Sequence, residues 1–220
     1  MNFQRARSEN QIQDRINEIT DAASSIYNSV GYDGLNFSII SEYTKFTRPN
    51  IYKYFKTKDE ILLVILKNDL KSFITALTSS FKINKVYSIY EISEIWADRL
   101  FEHKRLMDLY GFLFTTLEKN ASLEALAEFK KEFIPMNTQL MDFIAQLFPV
   151  ASEESIQNFA YYYLTLACGI YSISNLSKIQ MEAIKLSGFD FAPPDFKKTY
   201  MSCIYQQFYC LQHSIEIKKD

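Results

Sequence analysis

Residues 36–63 read NFSIISEYTKFTRPNIYKYFKTKDEILL, and this stretch decides the fold. Short apolar steps interrupted by polar turns predict two short helices followed by a longer one. Asn36 is placed to cap a helix running to about residue 44. A break at Lys45 and Phe46 precedes the next, with Thr47 as N-cap and Pro49 in its first turn, where a missing N–H is harmless. Thr57 caps the longer helix, whose first turn carries Asp59 and Glu60, the sign that the helix dipole favours. Residues 43–58 hold five basic side chains (Lys45, Arg48, Lys53, Lys56 and Lys58), no acidic one, and two tyrosines, Tyr52 and Tyr54. A basic, tyrosine-laced helical unit of this size suits docking on a nucleic-acid backbone.

Working outward, Ile12, Ile16, Ile19, Ala23, Ile26 and Val30 recur at three- and four-residue steps and form one helical face. Gly31 follows as a helix stop, with residues 32–34 as a turn. Residues 1–9 read as a loose arm carrying Arg5 and Arg7. Downstream, Ile61, Leu62, Ile65, Leu66, Leu70, Phe73, Leu77 and Phe81 continue a long apolar stripe. Further helices are expected near 88–102, 104–119, 122–147 (bent at Pro135), 152–178 and 194–216. The segment 186–194, LSGFDFAPP, reads as a loop. Five glycines and five prolines in 220 residues, with 48% hydrophobic content, argue for an all-α protein with few breaks. The pattern divides into a three-helix domain with a helix-turn-helix over residues 1–60 and a helical domain over 61–220.

The net charge of −2 gives no global field for an anionic partner. Residues 1–60 carry eight basic and eight acidic side chains, so any nucleic-acid binding comes from a local patch. Cys168, Cys203 and Cys210 have no CxxC spacing and read as small apolar residues of a reducing compartment. The N-terminus has no secretion signal, and no run of about 18 apolar residues could span a membrane. A cytoplasmic protein without a membrane partner is expected. The histidines, His103 and His213, belong to no metal or triad spacing, and no Gly-rich phosphate loop, HExxH or nucleophile elbow occurs. The chain therefore reads as neither an enzyme nor a metal or cofactor carrier. A helical dimeric adaptor or ligand-binding protein with weak or no DNA binding is the competing reading.

Within the opening stretch, Thr47, Arg48, Pro49 and Asn50 occupy the turn that would meet base edges. Arg pairs bidentately with guanine, Asn with adenine, and the proline ring touches thymine methyls. Tyr52, Lys53 and Tyr54 follow one turn later, where phosphates would pass, and Lys45 lies in the preceding turn. Lys58 and the free N–H groups beside it make an anion site, and Asn36 is placed to do the same for the other strand. In the second domain, Phe159, Tyr163, Ala167 and Ile170 mark one face of a helix that is apolar on more than one side. Tyr200, Ile204, Phe208 and Leu211 mark a stripe on the last helix. Such helices are either central in the fold or covered by a partner, and these eight residues are the candidate dimer interface. Trp96, Leu100, Tyr110, Phe114, Phe133, Met136, Phe143, Tyr162 and Tyr171 are candidate lining residues of a small-molecule pocket.

Residues 19–63 resemble the DNA-binding domain of the TetR family of bacterial transcriptional repressors. The matching pieces are ITDAASSIYNSVGYDG (19–34), FSIISEYTKF (37–46) and above all TRPNIYKYFKTKDEIL (47–62). The run TTLEKNASLEALAEFK (115–130) resembles one subgroup of the family's C-terminal domains. The resemblance implies phosphate contacts at Asn36, Tyr52, Tyr54 and Lys58, and base reading at Thr47, Arg48, Pro49, Asn50 and Lys53. It places Ile51 and Phe55 in the core. It implies a homodimer through the last two helices, a pseudo-palindromic double-stranded operator with half-sites about 34–36 Å apart, and release by a small-molecule effector. Two positions depart from the family pattern. Ser41 replaces a small alanine, and Lys45 stands where glycine is usual. A left-handed backbone at Lys45 would cost on the order of 1 kcal/mol.

Overall fold

The computed structural model describes residues 2–215, with side chains from residue 10. In chain order the first elements are α1 (Asn2–Gly34), α2 (Phe37–Glu42), α3 (Arg48–Ile51), α4 (Lys58–Ser79), α5 (Ile89–Glu102) and α6 (Lys104–Phe112). A π-helical turn (Leu113–Leu117) leads into α7 (Glu118–Asn120). Then come α8 (Leu123–Leu147), α9 (Glu153–Ser174), α10 (Lys178–Leu186) and α11 (Phe196–Gln212). No strand occurs among the described residues, so the expected all-α class holds. The chain forms two compact units that do not follow a single cut: residues 1–68 with 112–131, and 69–111 with 132–220.

In the first unit, Ile19, Ala23, Ile26 and Tyr27 of α1 are buried with Leu35, Phe37, Ile40, Ile51, Phe55, Ile61 and Leu62. Ile51 and Phe55 thus face the core, as expected. The ends of the α1 stripe do not: Ile12 and Val30 are exposed. The helix begins at Asn2, so the segment read as a loose arm continues it. The side chains of Arg5 and Arg7 lie outside the described residues. Gly31 ends the regular part of α1 with φ +67°, a left-handed angle that glycine adopts without a Cβ penalty.

The turn between α2 and α3 corrects the expectation of strain at Lys45. Positive φ outside glycine occurs, among the described residues, at Asn84 and Ser214, not at Lys45. The turn closes by other means. Tyr43 N–H donates to the Ile40 carbonyl at 3.2 Å, Thr44 Oγ1 donates to that same carbonyl at 3.1 Å, and Phe46 N–H donates to Thr44 Oγ1 at 3.3 Å. Thr47 holds the N-cap position of α3 but makes no side-chain cap bond; its carbonyl accepts from the Asn50 and Ile51 N–H groups. After Ile51 the chain continues in tight turns to Phe55.

In the second unit α11 packs on α5 and α9. Trp96 lies at the centre, ringed edge-on by Phe73, Phe159, Tyr163 and Phe208 at 5.3–6.0 Å. The Tyr200 hydroxyl donates to the Tyr163 carbonyl and the Tyr163 hydroxyl donates to Asn137 Oδ1, both at 3.0 Å. This core corrects the interface expected on α9 and α11. Phe159, Tyr163, Ala167, Ile170, Tyr200, Ile204, Phe208 and Leu211 are all buried within the single chain, at most 9% exposed. Of the two apolar faces, the richer one turns inward because it removes more apolar surface from water. The face left outside carries Tyr161, Tyr162 and Ile173 on α9, and Tyr205 and Tyr209 on α11. Helix α10 was not foreseen. A capping box formed by Ser177 and Gln180 starts it, and none of its residues is buried.

Candidate nucleic-acid interface

Two clefts flank the α3 segment. The first, about 520 Å³, is lined by Asn36, Phe37, Ser38, Arg48, Tyr52, Lys56, Thr57 and Lys58. Asn36 caps α2: its Oδ1 accepts from Ser38 N–H at 3.0 Å and Ile39 N–H at 3.1 Å, and its Nδ2 donates to the Gly34 carbonyl. Most of its amide is thus committed to local structure. The Tyr52 ring packs edge-on against Phe37 at 4.6 Å, which holds an exposed phenol at the cleft mouth. Thr47, Arg48, Pro49 and Lys53 are exposed and Asn50 is half-buried, so the expected base-reading side chains lie along one accessible stretch.

Lys58 is held from behind. Its Nζ donates to the Tyr32 carbonyl at 2.6 Å and sits 3.9 Å from the centre of the Tyr32 ring. Tyr32 in turn stacks on Phe112 at 5.1 Å and donates its hydroxyl to Asp59 at 2.8 Å. Burial and then the bond to Asp59 push that phenol up to about 12. Lys58 therefore lines the cleft as a tethered cation. The neighbouring Glu60 is almost fully buried. It accepts from Lys56 N–H at 2.6 Å, and from Ser122 N–H and Oγ at 3.0 and 2.6 Å. Burial pushes its carboxyl up, but these hydrogen bonds outweigh that effect and leave it below the usual carboxylate range.

The second cleft, about 350 Å³, is lined by Arg15, Lys45, Phe46, Asn50, Lys53 and Tyr54. An Arg15 guanidinium N–H donates to the Tyr54 hydroxyl at 2.9 Å, and Lys45 pairs with Glu18 at 2.8 Å. Sequence reading missed Arg15, because no local pattern links it to a residue 39 positions away. Further along α1 the sign reverses: Asp14, Glu18 and Asp21, with Tyr43, line a separate cleft that would repel phosphate.

The residues expected around an effector do not form one lining. Trp96 and Leu100 are sealed in the packed centre, Phe133 is buried, and Tyr110, Met136, Phe143 and Tyr171 are half-buried. Tyr162 and Phe114 are 43% and 55% exposed. Tyr162 lies on the outer side of α9, next to the inward Tyr163, and Phe114 belongs to the first unit. Among the described residues no group of three or more His, Cys, Asp or Glu could hold a metal, and no helix is long and apolar enough to cross a membrane.

A capped short helix, a tight turn and an exposed basic helix, set on a helical body, define a helix-turn-helix transcriptional regulator. Residues 19–65 match the family model described as bacterial regulatory proteins, tetR family, and residues 67–207 match the tetracyclin repressor-like C-terminal domain. The chain belongs to the TetR family of regulators. Two solved structures share its fold. The transcriptional regulator SCO7222, a TetR from Streptomyces coelicolor, aligns with a TM-score of 0.52 at 14% identity, covering 91% of this chain and 99% of that one. A transcriptional regulator from Rhodococcus sp. Rha1 aligns with a TM-score of 0.50 at 10% identity, covering 93% and 99%. No curated protein matches the chain.

Proposed function

We propose that this chain is a ligand-responsive repressor of the cytoplasm. In this reading it binds a pseudo-palindromic operator as a homodimer and is released by a small molecule. It performs no catalysis. The observation that carries the reading is the exposed run from Thr47 to Lys53 between two clefts lined with cations. Thr47, Arg48, Pro49, Asn50 and Lys53 would meet base edges. Tyr52, Tyr54, the tethered Lys58, Lys45 and the remaining N–H of Asn36 would meet phosphates. DNA binding would lie within residues 1–60, and effector binding and dimerisation within 61–220.

Dimerisation would use the outer faces of α9 and α11, where Tyr161, Tyr162, Ile173, Tyr205 and Tyr209 are exposed. Effector entry would require the sealed aromatic centre around Trp96 to open, since a ligand shifts the equilibrium only through its different affinity for two conformers.

Genomic DNA selection with the purified protein tests the reading. Enriched fragments should share a two-fold symmetric site whose binding weakens steeply between 50 and 200 mM salt. Arg48→Ala should relax base preference, whereas Lys58→Ala should weaken all sites evenly and lower the salt slope by about one contact. Absence of any enriched fragment would favour the adaptor reading.

A further inference from the structure

We infer that Arg15 on α1, together with Tyr54, forms a second phosphate seat for DNA, outside the helix-turn-helix motif and on the opposite side of α3 from the Lys58 cleft. The inference rests on the DNA-binding reading above and adds a contact that the family motif does not supply.

The argument begins with the Tyr54 hydroxyl. It accepts from Arg15 at 2.9 Å. A phenol that accepts in this way keeps its own proton as a donor, and that proton has no protein acceptor among the described residues. Arg15 is exposed and spends one of five N–H donors on Tyr54. The pair therefore presents two donors, fixed relative to each other by their mutual bond, at one cleft. Planar guanidinium donors with a neighbouring hydroxyl suit the oxygens of a phosphate diester.

The charge balance points the same way. Three cations line this cleft, Arg15, Lys45 and Lys53. Glu18 neutralises Lys45, which leaves Arg15 and Lys53 without an acidic partner among the described residues. The acids of the adjoining α1 cleft, Asp14, Glu18 and Asp21, bound the seat on its other side and confine an anion to the edge next to α3. With the Lys58 cleft across α3, the two seats lie where the backbones flanking a major groove would run.

The test uses the full chain and the fragment most enriched in the genomic selection. Arg15→Gln keeps a polar side chain at an exposed position, so its melting temperature should match wild type. It should lower the salt slope by about 0.9. The affinity ratio of wild type to variant would then shrink about 3.5-fold between 50 and 200 mM salt. The base preference found by repeating the selection should not change. Tyr54→Phe should weaken binding as well, and the double variant should lose less than the sum of the singles, since the pair acts as a unit. A wild-type slope for Arg15→Gln, alongside a reduced slope for Lys58→Ala, would overturn this inference and leave the DNA reading intact. Failure of the wild type to enrich any fragment would remove both.

Discussion

The Glu60 carboxylate and the Ser122 hydroxyl lie 2.6 Å apart, 62 residues separated in sequence. One Glu60 oxygen takes both donors of Ser122, and the other takes the Lys56 N–H at the end of the DNA-binding turn. Ser122→Ala leaves a buried carboxylate short of a donor and should cost about 1–3 kcal/mol at pH 7. Glu60 is depressed in the folded state, so its contribution is present above the unfolded value of about 4.3 and is lost as pH falls through the folded one. Urea melts should show the gap between wild type and Ser122→Ala narrowing on acidification from pH 6 towards 3. A constant gap would show that Ser122 acts through packing alone.

Gly34 is constrained by space rather than by φ. A Cβ added there would sit 2.6 Å from the Val30 Cβ, whereas one at Gly31 meets nothing within 4 Å but must adopt φ +67°. Gly31→Ala should therefore cost about 1–2 kcal/mol through backbone strain. Gly34→Ala should cost about 1–3 kcal/mol through overpacking. Thermal melts of the two variants would separate these causes only if neither is neutral, and a neutral Gly34→Ala would mean that the turn after α1 relaxes freely.

Neighbouring tyrosines on α9 should answer differently. Tyr162 is outward and Tyr163 is inward, bonded to Asn137. Tyr162→Asp should lower the mass seen in sedimentation at micromolar protein while leaving the far-ultraviolet spectrum unchanged. Tyr163→Phe should keep the assembly and lose about 1 kcal/mol of stability. The outer-face dimer would be excluded by a Tyr162→Asp protein that sediments like wild type.

Cys168 donates its thiol to the Met107 carbonyl at 3.1 Å, and burial pushes it up to about 12. At pH 8 its thiolate fraction is on the order of one in 10⁴, so disulfide reagents should label it slowly. Cys168→Ser should show the same number of fast-reacting thiols as wild type at pH 8. Loss of one fast thiol in that variant would contradict the buried hydrogen bond.

Local signals were readable along the chain. Asn36 caps α2 and Thr57 meets the Glu60 N–H, both within four residues of their partners. The core positions of Ile51 and Phe55 followed from the family pattern. The inner and outer faces of α9 were not separable, because Phe159 and Tyr163 look no different in sequence from Tyr161 and Tyr162. Only packing against α11 decides between them. The pairs Arg15 with Tyr54 and Glu60 with Ser122 depend on where distant segments meet, which periodicity does not encode. Strain at Lys45 was expected from the family's glycine, and the Thr44 hydroxyl removes the need for it.

That threonine-closed turn has an evolutionary consequence. A position that demands glycine is frozen, since almost every replacement disturbs the backbone. Position 45 is released from that demand, and its side chain is 75% exposed. It is free to vary in sign and length without refolding the turn. A lineage carrying this arrangement acquires an adjustable charge beside the recognition segment, and could retune affinity for its binding site by single substitutions there.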